Sequence, residues 1–168
     1  DVTCLKAPFT AFCYHSSERL NDRFIEQIRK AGGPRREHEW GPCLEKVMAS
    51  CGTSIMFMKD IAVHLQDRTD HDFLRKWENT FITRHPYPTF VSHCKVWKYF
   101  DFAEAVYLNQ KRLFDHGTQG LGQEPIVLDG TEFRQRPKEV MRDYCEKLVI
   151  DVDEDALRWE GKKKYEFG

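Results

Sequence analysis

An arginine and a serine lie eight residues apart in a segment whose pattern indicates a strand, a proline turn and the start of a helix. Arg84 ends the apolar strand, and Ser92 belongs to the helix that follows Pro86 and Pro88. The planar guanidinium of arginine offers a fork of N–H donors that matches a phosphate face. A hydroxyl near a helix N-terminus adds a donor where backbone N–H groups and the helix dipole already favour an anion. The spacing therefore predicts that Arg84 and Ser92 grip one nucleotide phosphate from two sides.

Three charged residues, Lys59, Arg84 and Asp129, each follow or end an apolar run that is typical of a strand. The run from Ser54 to Met58 is continuous, which predicts a strand buried on both faces. In open α/β sheets, ligands bind beyond the carboxyl ends of the parallel strands. We therefore expect the three charged side chains to converge on one edge of a sheet.

Helical and extended patterns alternate along the chain. One predicted helix follows a cap at Ser16–Glu18 and runs to Gly32. Further predicted helices cover roughly 44–51, 61–65, 70–77, 87–97, 101–114, 131–134 and 137–148. Predicted strands cover roughly 54–58, 81–82 and 125–129. This alternation favours a three-layer α/β fold, in which helices flank a mostly parallel sheet. The length of 168 residues predicts that residues 1–168 form a single domain.

Composition and charge exclude several classes of protein. Hydrophobic residues make up 40% of the chain, charged residues 32%, and the formal net charge is −1. A general nucleic-acid or membrane-surface binder would carry a basic excess, so neither partner is expected. No apolar run is long enough to span a bilayer, and no signal peptide is recognisable at the N-terminus. These features favour the cytoplasm and leave secretion open.

The cysteine and histidine spacings predict no metal site. The six cysteines include no CxxC pair and no secreted disulfide framework, so most are expected to be buried free thiols. His64 and His71 are seven residues apart, whereas metal-binding histidines on a helix usually lie at i and i+4. We therefore expect no bound metal.

Four segments of the chain resemble P-loop sulfotransferase-like proteins, and the similarity runs from about Pro8 to Trp159. The most specific feature is the Arg84 to Ser92 spacing. The segments are Phe57–Asp60, Thr80–Pro86 with Ser92, Ile126–Asp129 with Glu132, and Pro137–Cys145 leading to Leu157–Glu160.

The resemblance implies a donor site for 3′-phosphoadenosine 5′-phosphosulfate (PAPS). In the family, the arginine and the serine that match Arg84 and Ser92 bind the 3′-phosphate of the donor. The Trp-Glu-Gly ending and the basic run that contains Lys162 and Lys163 are similar to the family's C-terminal loop, which also touches the nucleotide.

The resemblance also implies catalytic roles near Lys59. Sulfuryl transfer needs positive charge on the bridging oxygens and a base for the acceptor hydroxyl. Lys59 is the natural cation. Many sulfotransferases carry a histidine base two residues beyond the equivalent lysine, but Ile61 occupies that position here. His64, five residues beyond Lys59, is therefore a candidate base, and Asp60 is a rival one.

Two departures from the family leave alternatives open. The phosphate-binding loop of the family should precede Pro8 and needs on the order of 30 residues, but only seven residues precede Pro8. In addition, Ala7 occupies the place of a glutamate in the branch that the chain most resembles. The chain is thus either a fragment or a form without the phosphosulfate cradle.

The first hypothesis is a PAPS-dependent sulfotransferase with a small-molecule hydroxyl or amine acceptor. The alternative is a repurposed relative that binds a small ligand or partner, or a different small-molecule enzyme.

Overall fold

The structure is a computed structural model, and it describes residues 2–52, 55–65, 73–96 and 107–158. The chain divides into two compact units. Unit 1 combines Asp1–Asp72 with Asp101–His116, and unit 2 combines Phe73–Phe100 with Gly117–Gly168. Both units contain helices and a parallel pair of strands, so the predicted α/β class is confirmed at that level.

Unit 1 begins with a strand and ends with a helix. Its elements are β1 (Val2–Lys6), α1 (Thr10–His15), α2 (Ile25–Lys30), α3 (Trp40–Ala49), β2 (Ile55–Lys59) and α5 (Tyr107–Asp115), with 3₁₀ turns at Arg36–His38 and Ala62–His64.

The sheet of unit 1 pairs β1 with β2 in parallel and in register, from Val2 opposite Ile55 to Lys6 opposite Lys59. The burial of β2 alternates along its length, with Ile55, Phe57 and Lys59 exposed. The prediction that this strand is buried on both faces is therefore wrong. An unbroken apolar run cannot distinguish a strand between two layers from one that is covered on a single face.

Aromatic rings form much of the core of unit 1. Phe9 and Phe12 are fully buried, and both pack on Trp40 at the start of α3. The Phe9 and Trp40 ring centroids are 4.9 Å apart and nearly parallel, while Phe12 meets Trp40 edge-on at 5.3 Å. Val47, one turn after the buried Cys43 on α3, extends the same apolar face inward. This core fixes the turn that follows β1, because Phe9 belongs to that turn.

The first helix of unit 1 differs from the prediction. Ser16 was expected to cap the start of a helix, but it is the C-cap of α1 and is fully buried. The next helix begins only at Ile25 and ends at Lys30, just before the Gly32–Gly33 pair at which the sequence predicts its end. The Ser-Ser-Glu pattern satisfies the rule for an N-cap, but the rule carries no information on the apolar segment before it.

Unit 2 contains two strands and three helices in its described residues. These are β3 (Thr80–Thr83), α4 (Pro86–Val96), β4 (Ile126–Asp129), α6 (Gly130–Gln135) and α7 (Pro137–Lys147), with 3₁₀ turns at Leu74–Lys76 and Asp155–Leu157. The π-helical turn His116–Gly120 leads into this unit from α5.

The strands of unit 2 also run in parallel, and Thr83 pairs with Asp129 at their carboxyl ends. Two side-chain amides hold the segments that enter these strands. Asn79 Nδ2 donates to Gln123 Oε1 at 2.6 Å, and both amides donate to the Trp77 carbonyl. These hydrogen bonds hold together the segments that precede β3 and β4.

Several predictions fall partly or wholly outside the described residues. These are the first part of the helix at 70–77, the first part of the helix at 101–114 and the basic run with Lys162 and Lys163. The predicted helices at 87–97 and 137–148 and the strands at 81–82 and 125–129 are found as α4, α7, β3 and β4, with small shifts at their ends. Among the helices of the described residues, none is both long and apolar enough to cross a bilayer.

Candidate functional site

Asp60 is the centre of a hydrogen-bonded cluster directly after β2. Its Oδ2 accepts from the Phe9 N–H at 2.9 Å, and its Oδ1 accepts from the Ile61 N–H at 2.7 Å. Oδ1 also lies 2.5 Å from Nδ1 of His64. The Asp60 side chain is only 6% exposed, so these three partners replace the water that a carboxylate needs.

His64 owes its position to the 3₁₀ turn Ala62–His64, which folds the chain back toward the end of β2. The side chain is 2% exposed and its ring meets Tyr14 of α1 edge-on at 5.6 Å. A carboxylate that accepts from Nδ1 selects the imidazole tautomer with its proton on Nδ1, and in that tautomer Nε2 carries the lone pair. A carboxylate that fixes the tautomer in this way is the arrangement that orients a histidine general base.

Lys59 directly precedes this cluster and is exposed at the carboxyl end of β2. Its carbonyl accepts a 2.6 Å hydrogen bond from Ala7 N–H. Ala7 itself has φ +47°, a left-handed conformation that costs an L-residue about 1 kcal/mol. The turn after β1 is thus attached twice to the end of β2, through the Lys59 carbonyl and through the Asp60 carboxylate. Lys59 and the Asp60–His64 pair therefore share one rigid framework.

Arg84 follows the last residue of β3 and is half-buried. A close approach fixes the backbone beside it: a Cβ on Gly130 would lie 3.2 Å from the Thr83 carbonyl oxygen and 3.6 Å from Arg84 Cβ. A larger residue here would require the end of β3 to shift by a few tenths of an ångström, so glycine favours this close packing of α6 on β3. Gly130 is thus a site residue that the sequence analysis missed.

The helix α4 begins at Pro86, and His85 caps it. His85 Nδ1 accepts from the Tyr87 N–H at 3.3 Å, and the His85 carbonyl accepts from Thr89 Oγ1 at 3.1 Å. Ser92 is the seventh residue of α4 and is exposed. The prediction that Ser92 lies near the helix N-terminus is therefore corrected: the N–H groups without helical partners belong to the first turn, and Ser92 can offer a phosphate only its hydroxyl.

The acids near the end of β4 serve the local structure. Asp129 is the N-cap of α6, since its Oδ1 accepts from the Thr131 and Glu132 N–H groups at 2.6 and 3.2 Å. Glu132 forms an i,i+4 ion pair with Arg136. In the part of unit 2 that the structure describes, neither carboxylate is placed to orient a histidine as Asp60 orients His64.

The predicted site residues divide between the two units. The structure brings Asp60 and His64 together beside Lys59 in unit 1, whereas Arg84 and Ser92 belong to unit 2. The convergence of Lys59 with Arg84 stays a prediction. Lys162 and Lys163 lie outside the described residues.

The cysteines of the described residues form no disulfide. All six cysteines are free thiols, and Cys13, Cys43 and Cys145 are buried, whereas the other three are exposed. Burial raises the pKa of the Cys43 thiol, which keeps that side chain protonated and unreactive. Within the described ranges, no group of three or more histidine, cysteine or acidic side chains could hold a metal ion.

Comparison of the chain with protein-family models, with curated proteins and with solved structures found no match.

Proposed function

We propose that the protein is a sulfotransferase-type enzyme that binds a 3′-phosphoadenosine nucleotide and transfers sulfate from PAPS to a hydroxyl or amine of a small molecule. In this proposal the two parallel strand pairs belong to one three-layer α/β fold. The observation that supports it most is the Asp60–His64 pair, 2.5 Å apart, immediately after the exposed Lys59.

The residues of unit 1 would supply the acid–base chemistry. His64 Nε2 takes the proton from the acceptor as the acceptor oxygen or nitrogen forms its bond to sulfur. The bond between sulfur and the bridging phosphate oxygen breaks, and adenosine 3′,5′-bisphosphate leaves. The Lys59 ammonium stabilises the negative charge that develops on that bridging oxygen. Asp60 is a positioning residue, because it holds the imidazole tautomer and does not itself touch the acceptor.

Arg84 and Ser92 would bind the 3′-phosphate. The close packing at Gly130 supports this role, because it fixes the main chain from which the Arg84 side chain extends. A guanidinium held at a strand end loses less conformational entropy on binding a phosphate than one on a mobile loop.

Calorimetric titration with adenosine 3′,5′-bisphosphate tests the donor site. We expect binding by the unchanged protein and at least a tenfold loss of affinity in Arg84→Ala, since a charge-assisted bidentate contact is removed. The matched control is Arg134→Ala, which changes an exposed arginine on α6. The absence of binding by the unchanged protein, or an equal loss in both variants, would contradict the proposal.

A transfer assay with PAPS and a panel of hydroxyl and amine acceptors tests the catalytic residues. His64→Gln should lower kcat by roughly 10²–10⁴ with little change in bisphosphate affinity, because general-base catalysis is lost and donor binding is not. Unchanged turnover in His64→Gln would remove His64 from the mechanism.

One observation favours a repurposed, non-catalytic relative as the second candidate function. His64 is 2% exposed, and a histidine–carboxylate pair that is buried in this way can hold the turn after β1 without taking part in a reaction. This candidate predicts that Asp60 and His64 variants change stability, whereas no acceptor is sulfated and Arg84→Ala leaves ligand binding unchanged.

A further inference from the structure

Two histidine rings meet where the end of α1 lies against the 3₁₀ turn Arg36–His38. His15 is the last residue of α1, and its ring meets the His38 ring edge-on with centroids 5.7 Å apart. The His15 ring also stacks on Phe24, the N-cap of α2, with the two ring planes 9° apart. A single titratable ring therefore joins three elements of unit 1.

The segment that carries His38, residues 35–39, is called the 35–39 turn below. The 3₁₀ turn within it buries none of its side chains. Towards α1 it offers two side chains that change charge with pH. These are the His38 ring, which meets His15, and the Glu39 carboxylate, which accepts from the Ser17 N–H at 2.8 Å. The contact of the turn with α1 therefore depends on ionisable groups and not on a buried apolar side chain.

The kind of contact changes at the next residue. Trp40 begins α3 and packs on the rings of Phe9 and Phe12 in the apolar core. Between the 35–39 turn and α3, Cys43 Sγ lies 3.7 Å from the Glu37 carbonyl oxygen, which is a weak thiol hydrogen bond. Acid can therefore act on the 35–39 turn without acting on the ring packing that holds α3.

The charges around the two rings favour separation in acid. Burial, and secondly the charge of His38, lowers the pKa of His15 below its ordinary value of 6.5. His15 therefore binds a proton more tightly once the turn has moved away. The attached turn is favoured above pH 6.5, and it loses stability as the pH falls towards the lowered pKa. The Glu37 carboxylate lies 3.8 Å from His38 Nε2 but also 3.5 Å from Arg35 Nη1, so His38 shares it with a permanent cation.

The other elements that pack against α1 are α2, α3 and the turn Ala62–His64. Their charged and titratable groups are paired, exposed or neutral. They are Glu26 with Arg29 and the exposed Lys30 on α2, the exposed Glu45 and Lys46 and the buried Cys43 on α3, and His64, which faces Asp60. His38 is the neighbour whose charge bears on His15.

We propose that the 35–39 turn is an acid-released latch: at mildly acidic pH, protons on His15 and His38 separate the turn from the end of α1, while α3 and the core of unit 1 stay folded. Imidazole is the side chain whose ordinary titration falls between pH 5 and 8, and two imidazolium rings in contact repel each other. This opening needs no nucleotide and no transfer reaction, so it stands independently of the sulfotransferase proposal.

The latch covers the outer end of a row of rings that leads to the candidate site. Phe24, on which His15 stacks, meets Tyr14 edge-on at 5.3 Å, and Tyr14 meets His64 edge-on at 5.6 Å. Separation of the turn uncovers His15 at the end of this row. The device is therefore placed to make the surroundings of the Asp60–His64 pair depend on pH.

Hydrogen exchange measured by NMR on the whole protein tests the latch. The Ser17 N–H reports the opening, because it donates to Glu39, and its rate is corrected for the intrinsic pH dependence of exchange. Between pH 7 and pH 5 its opening constant should rise at least about fivefold. Titration of His15 alone limits the rise to about thirtyfold. The Val47 N–H of α3, at a buried residue, should show no such rise.

Matched variants assign the opening to the two rings. His15→Phe keeps a ring on Phe24 and should abolish the rise at Ser17, and His38→Gln should reduce it at least about threefold. Two controls should keep the full rise. They are His85→Gln, which changes an exposed histidine of unit 2, and Glu39→Gln, whose amide oxygen still accepts from the Ser17 N–H.

Three results would overturn the latch. The first is a rise at Ser17 that is as large in both His15→Phe and His38→Gln as in the unchanged protein. The second is a rise that is lost in Glu39→Gln but kept in His15→Phe, which would assign the pH dependence to the carboxylate. The third is an equal rise at Val47, which would mean that the whole of unit 1 unfolds. A nuclear Overhauser effect between the His15 and His38 rings that is present at pH 7 and lost at pH 5 would support it.

Discussion

At the scale of single residues, the Asp60 carboxylate makes three hydrogen-bonding contacts within unit 1, with the Phe9 and Ile61 N–H groups and with His64 Nδ1. It joins the turn after β1, through Phe9, to the turn that carries His64. A buried carboxylate is tolerated only while every partner stays in place. The same contacts that would orient a catalytic base therefore also stabilise the fold, so stability and activity must be measured separately.

We expect Asp60→Asn to lower the free energy of unfolding by about 2 kcal/mol, since at least one N–H donor then meets an amide NH₂ instead of an oxygen. The matched control is Asp129→Asn, which should change it by less than about 0.5 kcal/mol, because aspartate and asparagine are equivalent N-caps. Urea denaturation at pH 7 measures both variants.

A double-mutant cycle isolates the contact between the two side chains. Asp60→Asn in a His64→Phe background should cost less than in the unchanged protein, by about 1 kcal/mol or more of coupling energy. Additive effects would mean that the 2.5 Å approach of Asp60 and His64 contributes nothing to stability.

The spacing of Asp60 and His64 in the sequence is compatible with a pair, but it does not by itself distinguish partners from rivals. Asp60 and His64 are four residues apart, and they were predicted as rival bases, not as partners. The partnership arises from the 3₁₀ turn and from the Phe9 N–H, which lies 51 residues away from Asp60 in the chain. Contacts of that separation depend on packing, and no local pattern encodes them.

At the scale of elements, the predictions that are confirmed depend on local sequence patterns, whereas those that are wrong concern elements that depend on contacts between distant parts of the chain. The strands β3 and β4 and the helices α4 and α7 follow local rules: β-branched runs, and a proline at the helix start. The missed α1 is six residues long, and its buried Phe12 and Cys13 are neighbours in sequence, so it shows no helical period. Its Phe12 packs edge-on against the ring of Trp40, a contact between distant parts of the chain that no local pattern encodes.

The C-terminal ends of two helices give an internal comparison. Both α2 and α7 end in a Schellman motif, with Gly33 N–H bonded to the Ile28 carbonyl and Ile150 N–H bonded to the Cys145 carbonyl. The left-handed residue is Gly32 in α2, with φ +91°, but Val149 in α7, with φ +55°. A β-branched residue in this conformation is strained, and Val149 is 92% exposed, so almost no packing compensates the strain.

We therefore expect Val149→Gly to raise the free energy of unfolding by about 0.5–1 kcal/mol, the relieved strain less the greater entropy of glycine in the unfolded chain. The reciprocal change, Gly32→Val, should lower it by about 1–2 kcal/mol. Thermal denaturation of both variants, analysed at constant pH, measures the two effects. A destabilised Val149→Gly protein would show that this valine makes a contact that its exposure conceals.

At the scale of the whole molecule, the titration of His15 links stability to pH. His15 stacks on Phe24 with ring centroids 5.6 Å apart and meets His38 edge-on at 5.7 Å. Burial, and secondly the charge of His38, lowers the pKa of His15 below 6.5. The groups that face it are therefore an apolar ring and a second histidine, and Glu37 lies 3.8 Å from His38 Nε2.

The sign of the pH effect follows from proton linkage. Between the lowered pKa of His15 in the folded state and its value of about 6.5 in the unfolded chain, the unfolded state binds more protons. The free energy of unfolding therefore rises with pH through this window, and the His15 contribution is constant above it.

Acidification from pH 7.5 to 5 should destabilise the protein, and the loss should be smaller in His15→Phe, which keeps the stack on Phe24 and removes the titrating group. Urea denaturation series at pH 5, 6, 7 and 7.5 compare the two proteins, with His85→Gln as the control for an exposed histidine. A His15→Phe protein whose stability falls with acid as steeply as that of the unchanged chain would show that other groups carry the pH dependence.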